Sequence, residues 1–278
     1  MTYSRVARIT NANIDRIYAE TNTRPNGFSM LSPHCHPYCE LFYVHNGSCR
    51  FFIDNNMYDL GTGDFLLIPE NVFHYTRYLS GDCKKSSLFF RKEDAAPSVC
   101  AALSEKDDFF GEMRLFQTPD SFREQIEELI SKMVREEKIC DRRTEPMLSA
   151  LLQELLLLCA RECDFPHDIP ADIHTTDRQI VLAAQFISRR YADSITARDI
   201  AAAAGYSPNY LSRKFRESTG VGIHEYLTFI RLQKAAVELV STKSSVTEIA
   251  QRCGFSDGNY FKDAFKKKYG VTPGEYRK

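Results

Sequence analysis

Two rhythms of apolar residues divide the chain. From Phe28 to Phe90 they come in short runs rich in Phe, Tyr, Ile, Leu and Val, broken by turn-forming residues, as short strands require. The runs predict strands at Phe28–Leu31, Glu40–His45, Cys49–Ile53, Met57–Leu60, Asp64–Pro69 and Ser86–Phe90, with one more at Ala7–Ile9 in an otherwise polar start. Asp54-Asn55-Asn56 supplies a hairpin turn. Strands so short and close predict an antiparallel barrel or jelly roll, an architecture able to enclose a small ligand. Ala95 to Phe116 has no clear period, and Asp107-Asp108 with Phe109-Phe110 reads as a loop or short helix. After Pro119 the spacing changes to three and four. Phe122, Ile126, Leu129, Ile130, Met133 and Val134 mark one helix to about Lys138, and Leu148, Leu151, Leu152, Leu155 and Leu158 mark a second from Glu145 to Cys163. The short connection near Asp141 makes them an antiparallel pair.

The last third repeats itself. Ile200-Ala201, Gly205, Ser207, Phe215 and Gly220 return as Ile249-Ala250, Gly254, Ser256, Phe265 and Gly270. Each copy reads as helix, tight turn, helix. Thr196 with Asp199, and Ser245 with Glu248, form capping boxes; Gly205 and Gly254 stop the first helices; Ser207, followed by Pro208, and Ser256 cap the second ones. Leu211 and Phe215 face inward in the first copy, leaving Asn209, Ser212, Arg213 and Arg216 outside. Phe261 and Phe265 do the same in the second, leaving Gly258, Asn259, Lys262, Asp263 and Lys266 outside. A helix pair whose second helix is polar and basic has helix-turn-helix geometry. The intervening helix, Ile223 to Val240, is about 27 Å long, which sets two such helices near one duplex repeat of about 34 Å. A helix at Asp177–Tyr191 with Ile180, Ala184 and Ile187 inward opens this part. The chain therefore reads as a barrel over 1–118, a helical pair over 119–164, a linker over 165–176 containing Pro166 and Pro170, and an all-α unit with two helix-turn-helix motifs over 177–278.

Gly205-Tyr-Ser-Pro-Asn-Tyr-Leu-Ser-Arg-Lys-Phe, Ile230-Arg-Leu-Gln-Lys-Ala, Gly254-Phe-Ser and Val271-Thr-Pro-Gly-Glu-Tyr-Arg277 resemble the signature of AraC-family transcription regulators over about 100 residues. The resemblance implies that Asn209, Ser212 and Arg213, and then Gly258, Asn259 and Lys262, face bases or backbone of double-stranded DNA. Asp263 departs from the Arg common at its position, although an acid there can accept from cytosine N4. It also implies a homodimer through the helical pair, where Leu155 to Leu158 offers apolar surface, and an RNA polymerase contact if the protein activates.

A second constellation lies within the strands: His34-Cys-His36-Pro-Tyr-Cys-Glu40, then Gly63, Pro69 and His74. Alternation puts His34, His36 and Glu40 on one strand face, with His74 from a neighbour. These stretches resemble the two cupin motifs, with Asn71 and Tyr78 departing from them, and that resemblance implies His34, His36, Glu40 and His74 as ligands of a divalent transition metal. Polar lining of an effector pocket, with no cofactor, is the expectation preferred here. Cys35 and Cys39, at odd positions, are expected on the other face as small buried residues.

Overall charge is −1, but from Asp177 onward 17 Lys and Arg face 10 Asp and Glu, leaving +7 there and −8 before it. The positive part coincides with the repeat, so Lys266 and Lys267 are expected at phosphates. Nine cysteines without small-domain spacing suit reduced thiols, and the absence of a long apolar run or leader core predicts a cytoplasmic protein without membrane contact. The expected function is a DNA-binding transcriptional regulator, an activator by family resemblance, controlled by a small molecule in the barrel, with sugars the first effector class to test. The competing reading is a metal-dependent cupin enzyme fused to a DNA-binding unit. No nucleophile triad or phosphate loop supports catalysis, so no enzyme is expected.

Overall fold

Strand β2, Cys39–Ile53, and strand β5, His74–Phe90, form the spine of the N-terminal unit in the computed structural model, which describes residues 17–30, 33–103, 109–163 and 175–277. With β1 (Tyr18–Arg24), β4 (Asp64–Ile68) and β6 (Arg114–Gln117) they make an antiparallel sheet ordered β1-β5-β2-β4-β6, and β3 (Asn56–Leu60) also pairs with β2. The turn between β2 and β3 holds Asp54 at φ 43° and Asn55 at φ 68°, the two positive values a two-residue hairpin demands.

The two strands expected at Glu40–His45 and Cys49–Ile53 are one strand. Register shifts between Val44 and Cys49 absorb Asn46-Gly47-Ser48 as a bulge. Gly47 sits at φ +92°, and a Cβ there would lie 2.9 Å from the Cys83 Cα, so the bulge needs glycine twice over. The bulge also flips parity. Phe42 and Val44 before it, and Cys49, Phe51 and Ile53 after it, line one apolar cluster with Tyr58, Leu60, Leu66 and Ile68. Phe42 and Phe51 have ring centroids 4.8 Å apart, where nine residues of straight strand would span about 30 Å. The sheet is folded back over its own core, the cupin-like arrangement.

The opposite parity faces helices. Cys39, Leu41, Tyr43, Phe65, Leu67, Leu88 and Phe90 pack with Ile126, Leu129, Ile130 and Met133 of α2 (Asp120–Glu136) and Leu148, Leu152, Leu155 and Leu156 of α3 (Thr144–Glu162). The short α1 (Pro97–Leu103) adds Val99 to the same cluster. Leu155 and Leu156 are thus consumed by this core, and of the stretch expected at a dimer surface only Leu157 is exposed. Leu41 and Leu88, paired across β2 and β5, are covered on this side, while Phe42 and Lys85 are covered on the other; the central sheet is buried on both faces.

Several expectations shift. The run at Phe28–Leu31 forms only an isolated bridge, Ser29 with Arg77. β5 begins at His74, twelve residues before the expected Ser86, and β1 and β6 arise in stretches that carry no strand rhythm. The expected strand at Ala7–Ile9, Asp107-Asp108 and most of the linker over 165–176 lie outside the described residues.

The chain divides by contacts into two units, 1–172 and 173–278. The second is helical: α4 (Thr175–Arg190), α5 (Ala197–Ala203), α6 (Pro208–Thr219), α7 (Ile223–Ser241), α8 (Val246–Arg252), α9 (Gly258–Tyr269) and α10 (Pro273–Tyr276). Leu232, Ala235 and Leu239 of α7 pack with Ile249, Ala250, Phe261 and Phe265 in one core. Arg231 ties α7 to the end of α4, donating from Nε to the Tyr191 carbonyl at 2.7 Å and from Nη2 to that of Asp193 at 2.9 Å. No helix among the described residues is long and apolar enough to cross a membrane.

Candidate functional site

Two places gather the side chains singled out above, one on the surface of the helical unit and one inside the sheet unit. On the surface, both copies of the repeat are built by the same local chemistry. Thr196 and Ser245 accept from the N–H three residues on, and the Asp199 and Glu248 carboxylates return the bond to the capping residue's own N–H, at 2.8 and 2.7 Å. Those bonds hold both carboxyls below their usual range, the Thr196 hydroxyl leading at Asp199 and the Ser245 N–H at Glu248. The first helices then close alike: Tyr206 N–H bonds the Ala201 carbonyl and Phe255 N–H that of Ala250, both at 2.9 Å, around Gly205 and Gly254 at φ +70° and +84°.

One cap differs from expectation. Asp257, not Ser256, starts α9, its carboxylate accepting from the N–H groups of Asn259 and Tyr260. The one-residue insertion in the second copy puts this stronger, charged acceptor at the helix start. On α6, Asn209, Ser212, Arg213 and Arg216 are exposed; on α9, Gly258, Asn259, Lys262, Lys266 and Lys267 are exposed, as is Asp263. Leu211, Phe215, Phe261 and Phe265 are fully buried beneath them. Arg216 bonds Glu225 of α7 at 3.1 Å, and Arg213 lies over the Tyr210 ring and 3.9 Å from Glu217, exposed pairs that hold their side chains only weakly.

Inside the sheet unit His34, His36, Glu40 and His74 meet. They do not come from one strand face as expected, because β2 begins only at Cys39 and the segment before it is irregular. His34 is placed instead by an isolated antiparallel bridge to His74, each N–H bonding the other's carbonyl at 3.1 and 3.0 Å. The His34 and His74 rings are 4.3 Å apart and those of His36 and His74 5.0 Å. His36 Nδ1 bonds the Tyr38 carbonyl at 2.9 Å, and His74 Nδ1 the Val72 carbonyl at 3.0 Å. A carbonyl only accepts, so both Nδ1 atoms carry the proton and both Nε2 atoms turn inward. There they meet Glu40 Oε2, at 3.3 Å from His36 and 3.6 Å from His74. Burial pushes the His74 ring down to about 4, and burial with the neighbouring His74 and His36 pushes His34 well below its ordinary value. Burial alone would raise the Glu40 carboxyl; the His36 hydrogen bond and the surrounding cations outweigh it and hold it low. His74 Nε2, fully enclosed, has no hydrogen-bond partner among the described residues.

Two family models match the chain. Residues 21–156 match an AraC-like ligand binding domain, and residues 200–278 match a helix-turn-helix domain. Over 247 residues, 88% of this chain and 86% of the relative, it is 27% identical to the HTH-type transcriptional activator RhaR of Mannheimia succiniciproducens. The chain belongs to the AraC family. It is an effector-controlled, DNA-binding transcription regulator. The uncharacterized HTH-type transcriptional regulator YijO of Escherichia coli K12 is 41% identical over 93 residues, 34% of this chain and 33% of that one. Among solved structures, unsaturated fatty acid-bound wild-type ToxT of Vibrio cholerae is 15% identical over 96% of each chain, with a TM-score of 0.37.

In this AraC-family chain the buried polar set extends beyond the motif residues. Lys85 is 6% exposed, and its Nζ donates to Glu20 Oε1 at 3.2 Å and Ser87 Oγ at 2.7 Å while lying 5.4 Å from the Phe42 ring. Its charge also bears on Glu40 and His34. A Lys84-Lys85 pair reads as surface, and Glu20 is 65 residues away, so no local signal announced this ion pair. Arg50 pairs with Asp59, Tyr43 donates to Glu127 at 3.1 Å, and Arg77 is exposed, so none of these three polar strand residues joins the set. Cys39 faces the helices, its thiol pushed up to about 12 chiefly by burial, as its odd position implied.

A cleft of about 800 Å³ lies away from this cluster, between His45 and Lys84 of the sheet and Asp120, Arg123, Glu127 and Arg135 of α2. Its charges balance and stand near water, and its His45 is answered by Ser86 Oγ at 2.7 Å on one nitrogen and approached by Glu127 at 3.6 Å on the other. The histidine cluster, by contrast, concentrates acceptors with a shortage of donors in a dry interior. The more demanding chemistry is in that interior, not in the cleft.

Proposed function

We propose that the regulator reads double-stranded DNA with α6 and α9, through Asn209, Ser212, Arg213 and Arg216 on the first and Gly258, Asn259, Lys262, Lys266 and Lys267 on the second. The observation carrying this reading is that two copies of one cap-and-stop design each present an exposed polar helix over a wholly apolar underside. Arg213 and Lys262 are one turn into their helices, where a recognition helix meets base edges, and Lys266 and Lys267 follow near the backbone. The protein acts as an activator, as the name of the relative RhaR says of that protein, and works as a cytoplasmic homodimer in contact with RNA polymerase, without catalysing a reaction. Met147, exposed at 47%, and Leu157, at 39%, on the outer side of α3 supply the dimer contact. The division into barrel 1–118, helical pair 119–164, linker 165–176 and DNA-binding unit 177–278 belongs to this proposal.

The effector pocket is the interior around His34, His36, Glu40 and His74. A small polar effector, with sugars the first class to screen, suits an interior that already holds buried carboxylate, imidazole and ammonium groups. Effector binding changes how the DNA-binding units of the dimer are presented, a coupling between separate sites. Genomic footprinting with and without candidate metabolites tests the whole reading. Protection at a few promoters that changes with one metabolite is the expected result; uniform coating of DNA, indifferent to every metabolite, would contradict it.

A further inference from the structure

We propose that the cleft between the sheet and α2 is a second ligand site, one that takes the oxyanion, carboxylate or phosphate, of a small metabolite. His45 and Lys84 line it from the sheet, Arg123 and Arg135 from α2 and Lys138 from just beyond that helix, around about 800 Å³, the volume of a metabolite pocket. Its hydrogen bonds show what is missing. The Thr21 and Ser86 hydroxyls lie 2.7 Å apart, and Ser86 Oγ is 2.7 Å from His45 Nε2. The other ring nitrogen, Nδ1, stands 3.6 Å from Glu127 Oε1. A lone pair on Nδ1 would face that carboxylate and be repelled, so Nδ1 carries the proton and Nε2 accepts from Ser86. Burial holds the ring below its ordinary value, which keeps it neutral with that single proton. Only 9% of the His45 side chain is exposed, yet Nδ1 has no hydrogen-bond partner among the described residues. Arg123 Nε is likewise enclosed without one. Gly63 makes room for this guanidinium: its φ is +92°, and a Cβ there would lie 3.0 Å from Arg123 Nη2 and 3.2 Å from Nε. Two enclosed N–H donors, one on each wall, therefore lack an acceptor.

Charge decides what kind of acceptor fits. Four cations and four carboxylates line the cleft, but Asp120 is taken by Arg123, and Glu128 by Lys132, which stands outside the lining. Lys84, Arg135 and Lys138 are then left against Glu124 and Glu127, and Glu127 already accepts from the Tyr43 hydroxyl. Arg135 donates to the Ser131 hydroxyl, and the Lys84 charge bears on His45. A neutral hydroxyl would leave that surplus of positive charge in place. An oxyanion accepts from His45 and Arg123 and offsets Lys84 as well, with bonds of charge-assisted strength. Bound there, it ties β2 and β5 to α2 from outside the interior that holds the histidine cluster.

The test is calorimetric titration of full-length protein, without DNA and at physiological ionic strength, with inorganic phosphate, glucose 6-phosphate, gluconate and uncharged glucose. One anion per chain, bound about 10-fold or more tightly than glucose, is expected, with the phosphates or gluconate leading according to which oxyanion the cleft takes. Lys84→Gln and Arg123→Gln each weaken that binding by about 10-fold or more, whereas Arg142→Gln, which removes an exposed cation from the loop after α2, leaves it unchanged. Anions bound no better than glucose, or weakened equally by all three variants, overturn the proposal. So does a loss in Glu40→Gln as large as that in Lys84→Gln, which would put the anion in the interior instead. Because neither DNA nor the histidine cluster enters the measurement, its failure leaves the proposed DNA reading and interior pocket standing.

Discussion

The two units put their charge in opposite places. In the helical unit Leu211, Phe215, Phe261 and Phe265 make a dry interior, and Arg213, Lys262, Lys266 and Lys267 all stand in water. In the sheet unit Glu40, His36, His74 and Lys85 are each less than 7% exposed, although the chain before Asp177 carries −8 in total. On the proposed roles, the contrast follows from what each unit must meet. Phosphates are met at the surface, where Lys and Arg release counterions and pay no desolvation cost beforehand. A small molecule is distinguished in a low-dielectric interior, where an unmatched polar atom costs about 1–3 kcal/mol and its partner is correspondingly valued. The buried set is left with a His74 nitrogen that no partner among the described residues answers.

The largest effects that could break this contrast lie in the two interiors. Lys85→Ala leaves the largely buried Glu20 carboxylate without its ammonium partner and should destabilise the sheet unit by about 3–5 kcal/mol in denaturant unfolding, while Lys85→Met with Glu20→Gln recovers most of that. If the double variant is no better than the single one, the buried charge is not what matters there. Phe261→Ala empties the helical core and should cost about 3–5 kcal/mol, abolishing DNA binding through loss of α9 packing. Retained binding with a normal melt would mean that the core does not position the reading helix.

The next prediction compares the two copies of the repeat. Gly254 and Gly205 share a positive φ, but a Cβ at Gly254 would lie 2.8 Å from the Tyr191 carbonyl oxygen and 2.9 Å from that of Ala192, whereas nothing lies within 4 Å at Gly205. Gly205→Ala should cost about 1 kcal/mol of backbone strain and Gly254→Ala distinctly more, measured by thermal unfolding. Equal costs would show that strain alone governs both turns.

That same repeat explains what could be read in advance. Capping boxes, glycine stops and inward Leu–Phe or Phe–Phe pairs are decided by residues three to five apart, so α5, α6, α8 and α9 were legible from the chain itself. The one cap misread, Ser256 for Asp257, sits where the second copy has its extra residue. Strands depend on distant partners. β1 pairs Tyr18 with Phe89 and its Glu20, Thr21, Asn22 and Thr23 carry no apolar alternation, so it was invisible, as was β6, which pairs Arg114 with Leu67. Asn46-Gly47-Ser48 has turn composition and became a bulge, because β5 continues to pair on both sides of it. The four motif residues, singled out by strand alternation and by resemblance to the cupin motifs, do come together, although the strand face invoked to unite them was not the means; a bridge between His34 and His74 was. Lys85 could not be found, since its burial depends on a carboxylate from another strand.

Smaller effects sharpen the surface side. Arg213→Ala should weaken specific DNA binding by about 1–3 kcal/mol and relax sequence preference at one position, as read by competition binding. Unchanged preference would place Arg213 on the backbone. Lys267→Ala should weaken all duplexes alike and reduce the slope of log affinity against log salt by about 1. An unaltered slope would remove Lys267 from the phosphate contacts.

Selection of bound duplexes from a random-sequence pool by full-length protein tests the central claim most directly. Two reading helices in one chain predict an enriched sequence with two base-specific blocks whose centres lie about 10–10.5 base pairs apart, with Arg213→Ala blurring one block only. A pool that enriches no sequence, or a single block that Arg213→Ala leaves intact, would contradict it.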